Sequence, residues 1–205
     1  NVALAGPDGA EADHVEYEDE QGWPPEADGQ GPSLERRHAD MPSSQPATWK
    51  PGPTGGTPGR ANANALPKPL PVVTNARHDP PVPAPDQPVW IRCRVISSRP
   101  MRAVTLFYKD ESAAVYSPVE MKDDGLGGDE QAGDGIFGGM IPGYANGQII
   151  EYYLGAVDED GQEGLFPVEG PAKSAIYLAD ETAYATSLPL YRIVMRRKDD
   201  RILRS

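Results

Sequence analysis

Five carboxylates, Asp123, Asp124, Asp129, Glu130 and Asp134, stand among glycines in the stretch MKDDGLGGDEQAGDGIFGGMIP, Met121 to Pro142. Carboxylate oxygens are the hard ligands that Ca²⁺ takes, and glycine admits the positive φ angles with which a loop turns its carbonyls toward an ion. The spacing departs from the EF-hand pattern, because Gly125 occupies the third position and no glutamate the twelfth. The GLGGDEQAG run could instead cradle phosphate, but such loops need a helix N-terminus behind them, and these acids would repel the anion. The preferred reading is a strand connection whose Asp side chains accept backbone N–H groups in Asx-turns. Calcium at these five residues is the one metal assignment the sequence offers. No other cofactor is expected.

Other chemically able residues are scattered. His14, His38 and His78 lie far apart and in different local patterns, which gives neither a histidine metal site nor a Ser-His-Asp triad an anchor. Trp23 and Trp49 have the faces to stack on sugars, though a lone Trp in a β protein more often packs inside. In VDEDGQEG, Asp158, Asp160 and Glu163 suit a tight polar turn better than an ion. The run RRKDDR, residues 196–201, reads as a solvated helix start. No catalytic residue is assigned.

The elements that would position these residues are strands. The 205-residue chain carries 23 prolines and 22 glycines, a composition that favours short strands and many turns over long helices. In PVWIRCRVIS, Val89, Ile91, Cys93 and Val95 alternate with Trp90, Arg92 and Arg94, the period of a half-buried strand. MRAVTLFYK and GQIIEYYLGAVDEDG repeat the pattern. With VVTNARH, YSPVEM, GIFGGMI and KSAIYL they make seven strands in 72–178, the spacing of an immunoglobulin-like or fibronectin III-like sandwich. Residues 1–62 hold shorter strand-like pieces, NVALAG, DHVEY, SLERR and ATWK. Residues 63–71 read as a semi-rigid, proline-rich linker, and 179–205 as a second linker leading to the entry strand of a downstream domain. The predicted class is all-β.

Charge narrows the partners. A net charge of −12 argues against nucleic acid, whose phosphates call for a basic face. No apolar run approaches the roughly 18 residues of a membrane helix. The single cysteine excludes an intrachain disulfide without fixing the redox compartment. The chain opens on Asn1 and reads as an internal piece of a longer protein.

Three resemblances follow from the motifs. GPSLERRHADMPSSQPATWKPGPTGGTPGRAN resembles the C-terminal end of bacterial lamin-tail domains, in which a SLER strand, a Trp strand and a closing GGTPG.AN recur; the opening strands of such a domain are missing here. Residues 72–178 resemble the immunoglobulin-like modules of large secreted bacterial proteins, with DDG..GD..AGDG before one strand and YY..A.D..G in another. LPLYRIVMRRKDDRILRS is similar to the entry of CotH-type (spore-coat protein H) kinase domains, whose ATP- and metal-binding residues would lie beyond Ser205. Together these imply an extracellular or cell-surface location, and a non-catalytic segment that spaces and docks neighbouring domains of the same polypeptide. The alternatives are an accessory region of a CotH-type kinase, or an adhesion module for cell-surface protein or carbohydrate.

Overall fold

The computed structural model describes residues 2–18, 22–29, 31–182 and 192–203. Two compact units divide the chain. One gathers Asn1–Thr74 with the strand ends Val95–Arg102 and Ala156–Gly164; the other holds Asn75–Arg94, Ala103–Gly155 and Leu165–Ser205.

The first unit opens with β1 (Val2–Ala5) paired antiparallel to β2 (Glu11–Val15), and continues with β3 (Pro32–Arg36) paired to β4 (Trp49–Thr54). Each of the four strand-like pieces overlaps a strand, NVALAG and SLERR nearly throughout, DHVEY through Val15 only and ATWK from Trp49 on, after a 3₁₀ turn at Pro46–Thr48; the strands are short, with little apolar surface between them. Polar contacts compensate. The hydroxyl of Thr57 donates to Glu35 Oε1 (2.6 Å) and the Ala63 N–H to Oε2 (2.7 Å). Asn62 donates to the Arg36 carbonyl (2.9 Å), Asn64 to that of Pro51 (3.0 Å), and the Trp49 indole to that of Ser43 (2.8 Å). The Thr57 hydroxyl, with the Ala63 N–H behind it and against the opposing effect of burial, holds the Glu35 carboxyl below its usual range. Gly52 is obligatory beside this carboxylate, since a Cβ there would come within 2.7 Å of Glu35 Oε1.

The linker is fastened within the same unit. Asp160 accepts ion pairs from Lys68 (3.1 Å) and Arg99 (2.9 Å). Gly164 approaches the Pro71 carbonyl so closely that a Cβ would lie 1.9 Å from its oxygen. Pro69 and Pro71 are buried.

Most of the second unit is sheet. Its first sheet has the order β5-β6-β9, with β5 (Val72–Asp79), β6 (Val89–Ile96) and β9 (Ile136–Ile141). β6 and β9 run antiparallel from Val89 opposite Ile141 to Arg94 opposite Ile136. The alternation is as the sequence predicts: Val89, Ile91, Cys93 and Val95 are buried, while Trp90 and Arg92 are half-buried and Arg94 is exposed. The second sheet has the order β11-β10-β7-β8, from β7 (Met101–Asp110), β8 (Ser117–Met121), β10 (Ile149–Asp158) and β11 (Glu163–Phe166); β12 (Ala175–Leu178) pairs with Ile149–Tyr152 of β10. These make eight strands where the spacing predicts seven. The extra one, β11, is the four-residue EGLF, too short for alternation to show.

Ile91, Leu106, Ile141, Ile150 and Leu154 are fully enclosed, each contributing about 1.5–3 kcal/mol of burial. The fold is all-β and sandwich-like. β10 is buried on both faces, with Ile149, Ile150, Glu151 and Tyr152 buried in succession. A single helix, α1 (Arg197–Leu203), follows; of the expected entry strand, residues 192–196 are irregular and 183–191 lie outside the described residues.

Cys93 is 1 % exposed, and burial pushes its thiol up to about 12, so it stays protonated and acts as a small hydrophobe. Cys93→Val should be nearly neutral, whereas Cys93→Ser should cost about 1–3 kcal/mol by burying an unpaired hydroxyl. Urea unfolding of the two variants measures the difference. Rapid maleimide labelling of the native thiol would contradict the strand phase.

Candidate functional site

The acidic stretch connects β8 to β9. Asp123 lies at its start and accepts the N–H groups of Gly133 (2.5 Å) and Asp134 (3.3 Å) on Oδ1, and that of Gly135 (2.9 Å) on Oδ2. Asp129 is buried and accepts from Gly125 (2.6 Å) and Gln131 (3.3 Å); Asp134 accepts from Ile136 (2.8 Å). These three aspartates each offer an oxygen within 4.8 Å of the others. Asp124 and Glu130 stand apart. Asp124 accepts the Leu126 N–H (3.0 Å), and Glu130, 84 % exposed, pairs with Arg92 (2.8 Å). The donor set is hard, and calcium, which takes six to eight oxygens, would complete its shell there with backbone carbonyls or water beside these three carboxylates. Each already accepts backbone N–H groups, so the turn closes through its own Asx-type bonds.

The loop folds over the outer face of its own sheet. Gly127 and Gly128 have φ of 54° and 102°, and a Cβ on either would meet the Trp90 ring at 2.8 Å. Gly138 of β9 leaves room for the backbone at Asp129, which a Cβ would approach to 3.0 Å. The glycines are there to lay a chain flat on Trp90.

A second polar cluster surrounds Glu151. β10 places this carboxylate on the outer side of the five-stranded sheet, only 10 % exposed. The Tyr116 hydroxyl (2.9 Å) and the Ser174 hydroxyl (3.1 Å) donate to Oε2, and Arg196 Nε donates to Oε1 (3.2 Å). Lys109 Nζ lies 3.8 Å away and 5.1 Å from the centre of the Tyr116 ring. Arg196 also donates to the Ser174 carbonyl (2.7 Å). Burial opposes ionisation of Glu151, but the Tyr116 hydroxyl, Lys109, the Ser174 hydroxyl and Arg196 together outweigh it and hold the carboxyl below its usual range. The Phe107 and Tyr153 rings stack beside the cluster (4.6 Å), with Tyr116 edge-on to Tyr153 (5.0 Å).

A cleft of about 640 Å³ adjoins it, lined also by Asp110, Ser112, Gln148 and Lys198. Asp110 is taken up by Ser112 and Gln148, and Glu111 by the Arg197 N–H (2.6 Å). These bonds tie one chain segment to another.

The remaining candidates are structural. Trp23 is buried, 6.5 Å from Trp49. His14 lies beside Glu11 and Glu16, His38 caps the Asp40 N–H (3.1 Å), and His78 stacks on Tyr177 (5.3 Å). Asp158 is buried and accepts the Gln162 N–H (2.8 Å), and Glu163 is exposed. Of the solvated helix start, residues 197–201 belong to α1, but the Arg196 side chain is 16 % exposed against Glu151, a correction that one buried carboxylate explains. The sequence signal for this cluster is the lone acid in the apolar run IIEYYLGA.

No protein-family model matches the chain, and no curated protein does. Similar solved structures include a Br derivative of BhCBM56, with 13% identity and a TM-score of 0.33 over 50% of this chain and 88% of that one. The cycloalternan-degrading enzyme from Trueperella pyogenes in complex with cycloalternan is 16% identical (TM-score 0.38, 52% of this chain and 17% of that one). Astrotactin-2, a vertebrate-specific perforin-like membrane protein, is 14% identical (TM-score 0.38, 64% of this chain and 25% of that one). The chain thus spans a quarter or less of the latter two, and similarities at these scores carry no argument about function.

Asp123→Ala removes the acceptor for three backbone donors and should lower stability by about 1–3 kcal/mol. Calcium at about 10 mM, above the roughly 10⁻³ M of weak extracellular sites, should leave the melting curve where EDTA leaves it; a calcium-dependent rise in Tm would assign Asp123, Asp129 and Asp134 to a cation.

Because the Glu151 carboxyl is lowered in the folded state, its contribution is full above the ordinary carboxylate range and is lost as pH falls through the lowered value. Glu151→Gln should therefore flatten the acid limb of stability against pH, measured by urea unfolding. An unaltered limb would show that the carboxylate is not coupled to folding.

Proposed function

We propose that this chain is a non-catalytic connector in a large secreted or surface-attached bacterial protein, holding neighbouring modules of one polypeptide in set orientations. One observation carries the proposal: the described residues beyond β12 are fastened to the sheets. Arg192 pairs with Asp180 (2.8 Å) and donates to the Thr182 carbonyl (3.0 Å), Arg196 enters the Glu151 cluster, and Arg197 binds Glu111 and the Gly147 carbonyl (3.1 Å). The proline-rich linker is likewise fastened through Lys68, Arg99 and Asp160. A chain meant only as a flexible tether has no use for such fastenings. The lamin-tail-like, immunoglobulin-like and CotH-like resemblances supply the proposed order of modules, with the last of them falling partly on residues 183–191 and 204–205, outside the described ones.

In this reading a CotH-type kinase, if it follows Ser205, would be placed by the fixed exit and would bring its own nucleotide site. Phosphoryl transfer depends on cationic donors and metal preorganised around phosphate, and Lys109, Arg196 and Arg197 near Glu151 are already engaged by carboxylates. Incubation with radiolabelled ATP should therefore give no phosphoryl transfer in residues 1–205, and a chain extended through the complete downstream domain should gain it. Transfer by the short chain would overturn the non-catalytic assignment.

The orienting role has its own test. In a Cys93→Val background, spin labels at Glu120→Cys and Lys198→Cys should give one narrow distance distribution, which Arg196→Ala should broaden. A broad distribution before that substitution would refute a fixed exit.

A further inference from the structure

The outer face of the β5-β6-β9 sheet gathers positive charge in a chain whose net charge is −12. The sequence holds 31 acidic residues against 19 basic ones. Even so, a cleft of about 440 Å³ whose walls include Asn75, Arg77, Arg92, Arg94 and Ile136 is lined by three arginines and no carboxylate. β6 supplies Arg92 and Arg94 because residues two apart share a strand face, and β5 supplies Arg77.

Arginines on a solvent-facing strand are ordinary when each has an acid beside it. Here Arg77 and Arg94 are exposed and have no ion-pair or hydrogen-bond partner among the described residues. Arg92 commits one terminal nitrogen to Glu130 (2.8 Å), while its Nε is out of water with no acceptor. Three guanidinium groups along one cleft repel one another, and a buried N–H without an acceptor is unfavourable. At the same wall Asn75 holds a φ of 51°, a left-handed conformation that few residues other than glycine adopt. Donors are in excess here, and what would complete them is an acceptor.

We propose that this cleft binds an oxyanion, the carboxylate or phosphate group of a ligand, through Arg77, Arg92 and Arg94. A guanidinium presents its N–H donors in a planar fork that matches two oxygens of either group, and charge-assisted bonds of this kind are stronger than neutral ones. The site adjoins the Asp123–Asp129–Asp134 turn, with which it shares the Arg92–Glu130 pair and Ile136, whose N–H Asp134 accepts. It is also independent of the connector role: a connector needs no ligand here, and a ligand here needs no fixed exit.

The test follows the arginine Nε–H signals by NMR while sodium phosphate, or in a second arm sodium acetate, replaces sodium chloride at constant pH and ionic strength. Saturable shifts at Arg77, Arg92 and Arg94, with none at Arg102, are expected. The arm that produces them identifies phosphate or carboxylate as the group read. Arg77→Gln with Arg94→Gln should weaken binding about tenfold or more, and leave Tm unchanged because neither side chain has a partner. Glu130→Gln, which frees Arg92 from its competing carboxylate, should tighten binding severalfold, an effect that a purely structural arginine row would not give. The proposal is overturned if neither anion differs from chloride, if the double variant shifts like the parent, or if Glu130→Gln leaves the affinity unchanged.

Discussion

A carboxylate held nine-tenths out of water has to be matched by donors, and Glu151 in β10 is such a group. Its partners come from β7 (Lys109), from the turn before β8 (Tyr116), from the residue before β12 (Ser174) and from the segment beyond β12 (Arg196). Removing any one of them leaves a buried charge less well paired, so the cluster ties these elements to β10 in a way that apolar packing alone would not specify. The same need explains why β10 is covered on both faces: the inner one carries Ile150 and Leu154 into the core, and the outer one is covered by Tyr116 and by chain that arrives to neutralise Glu151.

The acidic glycine loop solves a related problem by other means. Trp90 projects from the outer face of β6, where a large apolar ring would be left to solvent. The loop covers it with backbone, which only glycine permits at 127 and 128, where positive φ and contact with the ring coincide. A chain segment lying flat on a sheet exposes unpaired N–H groups, and Asp123, Asp129 and Asp134 accept them. The residues that make the stretch look like a metal loop are those that a glycine-rich cover requires in order to stay closed.

Much of the architecture was legible because it rests on local periodicity. The alternation through Val89, Ile91, Cys93 and Val95 set the phase of β6, and the four short strands of the first unit stand where their sequences suggested. β11 was missed because four residues cannot display a period of two. The Glu151 cluster was not legible, since its partners lie 35 residues (Tyr116), 23 residues (Ser174) and 45 residues (Arg196) away in the chain, and only strand pairing brings them together. In the acidic loop composition exposed the carboxylates, but which three converge depends on how the backbone folds over Trp90. Arg92 and Arg94 were visible as positions alternating with the inward set of β6; that Arg77 of β5 joins them, and that Arg77 and Arg94 have no acceptors among the described residues, was not.

A connector that orients its neighbours differs from a tether in one measurable respect, the persistence of the bonds at its exit. The Arg197 amide donates to Glu111 (2.6 Å) immediately after the Arg196–Glu151 contact and reports on both. Native-state hydrogen exchange at this amide is the most direct measurement of the clamp. Exchange should be slowed well below the free-peptide rate in the intact chain and return toward it in Glu151→Gln, with amides in β6 unaffected. Free-peptide exchange at Arg197 in the unaltered chain would contradict a fixed exit, and with it the role proposed for the segment.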